Sequence, residues 1–193
     1  MKNIVLTSCG IRNEEFKNKF YEIVSKEELS NKKVLYITTA IDGETDNDTD
    51  WIEEEFQTII DLGIKKDNII EYKIGNNLNI DDYDIIYMMG GNTIYLLHMI
   101  NKYNFKEVIE KALNKGIIYI GSSAGSQVMG TTIEYAVKFN DNNVGMTDFT
   151  ALNIVDSVIV PHANKKKEEY INEVKEKTNN KVILLYDGDG III

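Results

Sequence analysis

Short apolar runs alternate with amphipathic stretches along almost the whole chain, and that rhythm leaves few architectures open. Residues 3–8 read as a first strand, and Val34-Leu35-Tyr36-Ile37 and Ile117-Ile118-Tyr119-Ile120 as buried ones. Further strands fall near 68–73, 84–89 and 154–160. Between them, Phe16, Phe20, Ile23 and Val24 recur at helical spacing after Asn13, with Glu14 and Glu15 in the first turn, where anions suit the helix dipole. Asp50 with Glu53 reads as a capping-box start for a helix carrying Ile52, Phe56, Ile59 and Ile60, closed by Gly63. Asn104 and Glu107 repeat the signal before Phe105, Val108, Ile109, Ala112 and Leu113, with Gly116 as the stop. A helix near 164–178 follows, and 181–186 with 190–193 reads as a closing hairpin. Strands alternating with helices predict an α/β fold, a mostly parallel sheet with helices on both faces. The length of 193 residues predicts one domain, 1–193.

In such folds, sites gather at the carboxyl ends of the strands. Those ends carry Gly90-Gly91-Asn92-Thr93, Gly121-Ser122-Ser123-Ala124-Gly125 and Pro161-His162. The second fits Gly-x-Ser-x-Gly directly after a buried strand. A serine on a sharp strand-to-helix turn needs small neighbours so that the chain can pass, and the turn lifts the hydroxyl out of the sheet. Ser123 is central in the pattern and Ser122 would point elsewhere. The helix that follows aims its first N–H groups where an oxyanion would form.

A serine needs a base. The chain has two histidines. His98 falls inside an apolar helical stretch and reads as a helix residue. His162 stands at a strand end behind Pro161, which fixes the local backbone, and is the candidate base. A carboxylate must orient it. Asp187, in Tyr186-Asp187-Gly188-Asp189-Gly190, follows a strand but equally fits a hairpin turn; Asp148 and Asp156 are alternatives. Gly90 and Gly91 offer backbone N–H groups without side-chain obstruction, while Asn92 suits a helix N-cap.

Composition excludes several classes. The formal charge of −10 argues against nucleic acid, which needs a Lys/Arg surface. The lone Cys9 rules out an internal disulfide framework and any multi-cysteine zinc site, and reads as a packed thiol. No apolar run reaches the ~18–20 residues of a membrane span. The apolar stretch after Met1 is too short for a signal peptide, so a cytoplasmic location is expected. Asp46, Asp48 and Asp50 are spaced as in a calcium loop, but Trp51 and Gln57 occupy the positions of its glycine and glutamate, which leaves an acidic surface loop. Lys165, Lys166 and Lys167 read as a solvated face, or as a holder of a substrate carboxylate.

Taken together, the Gly90-Gly91-Asn92-Thr93 segment before an apolar helix, the Ser-Ala-Gly elbow at Ser123, Pro161-His162 and Tyr186-Asp187-Gly188-Asp189 resemble, in order and spacing, the S51 serine peptidases, a family that includes aspartyl dipeptidase and cyanophycinase. The resemblance implies a flavodoxin-like three-layer sandwich related to class I glutamine amidotransferases. It implies a Ser-His-acid triad in that chain order: Ser123 as nucleophile, His162 as base, Asp187 as acid. The oxyanion hole would come from the Gly90-Gly91 loop and the Ala124 N–H, with Asn92 and Lys138 as candidate substrate contacts. Small peptides would be the substrates, with no metal or organic cofactor. An aspartate-selective member needs a cation in its pocket. Arg12, the only arginine, lies near the first strand, and Lys138 is the only basic residue between Ser123 and His162, so an aspartate-selective pocket is not expected. An essential aspartate after the nucleophile is a family feature, for which Asp141 is a candidate. The alternatives are an esterase of the α/β-hydrolase kind, whose triad runs Ser-acid-His, and a non-catalytic homologue that binds a small ligand.

Overall fold

The computed structural model describes residues 3–45, 49–165, 168–177 and 181–193. Asp46 and Asp48 of the acidic loop and Lys166 and Lys167 of the basic turn lie outside them. The strands are β1 (Ile4–Thr7), β2 (Val34–Ile37), β3 (Ile69–Tyr72), β4 (Ile85–Met88), β5 (Ile118–Ser122), β6 (Val158–Val160), β7 (Val182–Leu184) and β8 (Gly190–Ile192). The α-helices are α1 (Glu14–Tyr21), α2 (Lys26–Leu29), α3 (Asp50–Asp61), α4 (Thr93–Lys102), α5 (Phe105–Asn114), α6 (Ala124–Gln127) and α7 (Glu168–Lys177). The main sheet has the order β3-β2-β4-β5-β1-β8. Its pairings are parallel except β1 with β8. The result is a mixed α/β sandwich with a largely parallel sheet.

The apolar runs are continuous because alternate residues of each strand face opposite layers, and both layers are covered. Leu6, Leu35, Ile86 and Tyr119 pack with Ile94 and Leu97 of α4 and Ile109 of α5. Val5, Tyr36, Tyr87 and Ile120 pack on the other side with Phe16 and Phe20 of α1 and Ile59 of α3. A smaller core of Tyr135, Val158, Val160, Ala163 and Ile171 lies under β6 and β7, which form their own parallel pair.

Register sets the position of the site. Thr7 pairs with Ser122, and Gly121 pairs with both Leu6 and Met88. The carboxyl ends of β1, β4 and β5 are therefore level, and the segments leaving them, which begin at Ser8, Met89 and Ser123, emerge side by side.

Four local expectations give way. The closing hairpin does not form: β7 joins β6, whereas β8 runs antiparallel to β1 at the sheet edge. The Asp187-Gly188 turn links two sheets instead of folding one strand on the next. The strand expected over 154–160 keeps only its last three residues, because Leu152, Asn153, Ile154 and Val155 spend their N–H groups on Val128, Gly130 and Met129 carbonyls. The α3 cap is Thr49, with Asp50 already helical. Asn104 precedes α5 in a left-handed conformation without a side-chain cap. Asn13 does cap α1, accepting from the Glu15 and Phe16 N–H groups.

Candidate active site

Ser123 sits between β5 and α6 with φ 45° and ψ −107°, a region L residues rarely occupy. Its N–H bonds the Thr7 carbonyl at 3.1 Å, which holds the turn against β1. The glycines around it are sterically required. A Cβ on Gly125 would lie 2.0 Å from the Met88 carbonyl oxygen, and one on Gly121 would lie 2.7 Å from the Gly125 carbonyl. The Ser126 hydroxyl ties the two strands by accepting from the Thr7 N–H at 3.0 Å and donating to the Gly121 carbonyl at 2.8 Å. Ser122 is fully buried beneath the elbow.

His162 follows β6, also in a left-handed conformation, φ 54°. Its Nε2 is 3.0 Å from Ser123 Oγ, and its Nδ1 is 2.7 Å from Asp187 Oδ1. Among the described residues, the His162 ring contacts Ser8, Ser123 and Asp187, and neither Asp148 nor Asp156. The Asp148 carboxylate accepts the Thr150 N–H at 2.9 Å, which holds its pKa below the usual value, and the Asp156 carbonyl accepts the Ser157 hydroxyl. His98 is a half-buried residue of α4.

Sequence reasoning missed Ser8. Fully buried at the end of β1, it donates to Asp187 Oδ1 at 2.6 Å, accepts the His162 N–H at 2.8 Å and lies 3.3 Å from His162 Nδ1. The nucleophile comes from the main sheet, while base and acid leave the small one. Ser8 is the hydrogen-bonded link that fixes the His–Asp pair relative to the elbow. The signal available in the sequence was a hydroxyl at a strand's carboxyl end, where sites gather.

A cleft of about 390 Å³ opens over Ser123, lined also by Ser8, Cys9, Arg12, Glu44, Trp51, Glu55, Gly90, Gly91, Phe139, Asn140 and His162. Among the described residues, the N–H groups of Gly91 and Ala124 have no acceptor, whereas Gly90 gives its N–H to Glu55 Oε1 at 3.2 Å. Gly90 is thus not a free oxyanion donor, contrary to the expectation for the loop. Asn92 is the N-cap of α4, accepting from the Tyr95 N–H, and its amide donates to the Gly43 and Asp141 carbonyls; it is 2% exposed and does not line the cleft. Lys138 pairs with Glu173 and lies over the Tyr170 ring. Among the described residues, a cation that does line the cleft wall is Arg12, remote in sequence but delivered by the β1–α1 segment. The Asp141 carboxylate accepts the Thr45 hydroxyl and is exposed.

Glu55 was also missed. It is 4% exposed, and burial pushes its carboxyl up to about 7, against the pull of Ser122, the Gly90 N–H, Tyr87 and Arg12. Its signal was a charge within a helical stripe, because Ile52, Glu55, Ile59 and Leu62 recur at spacings of three and four, and a carboxylate on such a stripe must be buried. Burial likewise raises the Cys9 thiol, which makes it a poor nucleophile. Among the described residues, no three His, Cys, Asp or Glu side chains are grouped as a metal ion requires, and no helix is long and apolar enough to cross a membrane.

Comparison with known proteins bears on this arrangement. The family model described as Peptidase family S51 matches residues 4–193. An uncharacterised peptidase of Listeria monocytogenes is 29% identical over 197 residues, covering 100% of this chain and 89% of that protein. Peptidase E of Shewanella sp. (strain ANA-3) is 43% identical over 84 residues, and an uncharacterised peptidase of Pasteurella multocida 39% over 82. These two alignments cover 34% and 39% of the relatives, well under half of their length. A crystal structure of a candidate peptidase E protein from Listeria monocytogenes superimposes with a TM-score of 0.82 at 26% identity, over 100% of this chain and 94% of that one.

Proposed function

We infer that this chain, which belongs to peptidase family S51, is a serine-type peptidase that hydrolyses dipeptides or other small peptides through an acyl-enzyme. The observation that supports this reading is the continuous run of short contacts from Ser123 Oγ to His162 Nε2, 3.0 Å, and from His162 Nδ1 to Asp187 Oδ1, 2.7 Å. Ser123 attacks the scissile carbonyl while His162 takes its proton. Asp187 accepts from Nδ1, which leaves Nε2 free as acceptor and stabilises the imidazolium that forms. The tetrahedral oxyanion is held by the Gly91 and Ala124 N–H groups. His162 then returns the proton to the leaving amine, and water repeats the sequence on the acyl-enzyme. The spatial order β3-β2-β4-β5 also supports the finer fold name: counted from β2 it is the 2-1-3-4 run of a flavodoxin-like sheet, with β1 in the fifth position.

The cleft volume suits a dipeptide, and Arg12 gives an acidic side chain a partner. Arg12 is paired with Glu54 at 3.2 Å, but both are exposed enough that the pair is worth at most about 1 kcal/mol and exchanges readily. The test is hydrolysis of Asp-Leu, Ala-Leu and Lys-Leu by the purified chain. Asp-Leu is expected to exceed Lys-Leu in kcat/KM by about fivefold, the worth of one half-exposed ion pair. Arg12→Gln should erase that margin, bringing Asp-Leu and Lys-Leu to equal kcat/KM. Hydrolysis of none of the three would overturn the peptidase reading, and a preference for Lys-Leu would remove Arg12 from substrate selection.

A further inference from the structure

Glu55 is a carboxyl placed where the fold itself gains little from it. It sits on the face of α3 that packs on the sheet, among Tyr36, Tyr87 and Ile59, and it also lines the cleft. Buried carboxyls need partners. One oxygen, Oε1, accepts the Gly90 N–H at 3.2 Å. The other lies against the same turn: a Cβ built on Gly90 would lie 3.3 Å from Glu55 Oε2, and equally 3.3 Å from Ser123 Cβ. The carboxyl is thus wedged against the turn that supplies one unpaired N–H, next to the serine.

That turn has few other restraints. Met89 donates to the Ile37 carbonyl and Asn92 to the Ala40 carbonyl, each at 3.1 Å. Between those anchors lie two glycines, of which Gly91 has φ 126°, and a Cβ there would lie 2.7 Å from the Ala40 carbonyl carbon. A Gly-Gly pair is the most flexible dipeptide the chain could place here. Among the described residues, the Gly90 N–H to Glu55 bond is the one hydrogen bond that the N–H groups of this pair make.

We propose that Glu55 is a positioning residue of the oxyanion hole, its carboxyl holding the Gly90-Gly91 turn so that the Gly91 N–H stays presented to the tetrahedral intermediate. The inference rests on the peptidase reading above. It makes the hole dependent on a titratable group. An ionised carboxylate accepts the Gly90 N–H more strongly than a neutral one, so the turn is held best when Glu55 is charged. The groups facing Glu55 are Tyr36 from β2, Tyr87 from β4, Ser122 from β5, and Cys9 and Arg12 from the β1–α1 segment; of these Arg12 alone is cationic and favours the ionised form. Glu53 and Glu54 are its charged neighbours on α3. With burial opposing ionisation, the half-point falls at about 7. The hole is therefore tightened as pH rises through neutrality.

The experiment compares wild type, Glu55→Gln and Glu55→Leu in kcat, KM and the pH profile of kcat on the best-cleaved dipeptide, with circular dichroism as a check of folding. Loss of a well-placed oxyanion donor costs about 10²–10³ in kcat. Glu55→Leu, which leaves the Gly90 N–H without an acceptor, is expected to lose about 10²-fold in kcat with KM within about twofold. Glu55→Gln keeps an amide oxygen for that N–H but cannot ionise. It should retain kcat within about tenfold of wild type, and the limb of its profile that falls towards acid pH should be less steep than that of wild type, with the ionisation of the base His162 left in place of two. A Leu variant with wild-type kcat overturns the proposal. So does a Gln variant whose acid limb is as steep as that of wild type, and this result stands even if the Leu variant fails to fold. Labelling by a fluorophosphonate separates the two levels of inference. A wild type that does not label defeats the peptidase reading, whereas a labelling wild type with an unaffected Leu variant defeats the role of Glu55 alone.

Discussion

Ser123→Ala and His162→Ala are each expected to lower kcat by about 10⁶, and the double variant is expected to be no worse than either. Nucleophile and base act as one unit across the 3.0 Å contact, so the second deletion removes nothing that the first has left. The residual rate should remain about 10³–10⁴ above uncatalysed hydrolysis, because the Gly91 and Ala124 N–H groups survive both changes. The elbow should keep its shape in Ser123→Ala, since its anchors are the Ser123 N–H to Thr7 bond, the Ser126 hydroxyl and the glycines at 121 and 125. Single-turnover kinetics on the three variants checks the prediction. Additive losses would mean that Ser123 and His162 contribute separately and do not form a nucleophile–base pair.

The second large effect concerns the acid. Asp187→Asn should lower kcat by about 10³, whereas Asp148→Asn and Asp156→Asn should leave it within about twofold. An asparagine presents either an oxygen or an NH₂ to His162 Nδ1, and the NH₂ face favours the tautomer with its proton on Nε2, where it cannot take one from Ser123. A fully buried triad aspartate is worth about 10⁴ by this change. Asp187 is 62% exposed in its side chain, so water recovers part of that loss, and Ser8 recovers more. The Ser8 hydroxyl, which donates to Asp187 in the wild type, can still bond the oxygen of the substituted amide and thereby bias it towards the productive flip. The order of the triad is decided by the same set of variants. A collapse in Asp156→Asn or Asp148→Asn with an intact Asp187→Asn would describe an esterase-type Ser-acid-His arrangement.

How much of this was legible in the sequence follows from the range of the interactions. The strands were readable because a parallel strand covered on both faces must be apolar throughout, as Val34–Ile37 and Ile85–Met88 are. The elbow was readable because its constraint is local: Gly121 and Gly125 are needed wherever a backbone passes that close. Ser8, Arg12 and Glu55 were not readable as site residues. Ser8 meets Asp187 across 179 positions, where the pairing of β8 with β1 returns the end of the chain to the first strand. Arg12 looked too far from Ser123 to serve a pocket, yet it leaves the strand adjacent to β5 and reaches the cleft wall. Glu55 was hidden by its apolar neighbours on α3. The closing hairpin failed for a related reason. Asp187-Gly188 is a good local turn, but β7 and β8 each gain more from pairing with β6 and β1 than from pairing with each other.

The central claim is that Ser123 is an activated nucleophile. A fluorophosphonate probe followed by peptide mapping tests it most directly, because the reagent needs both an activated serine and an oxyanion site and requires no knowledge of the substrate. The account predicts one adduct per chain, on Ser123, absent from Ser123→Ala and strongly slowed in His162→Ala. No adduct on wild type under conditions that label a control serine hydrolase, or an adduct that persists in Ser123→Ala, would contradict it.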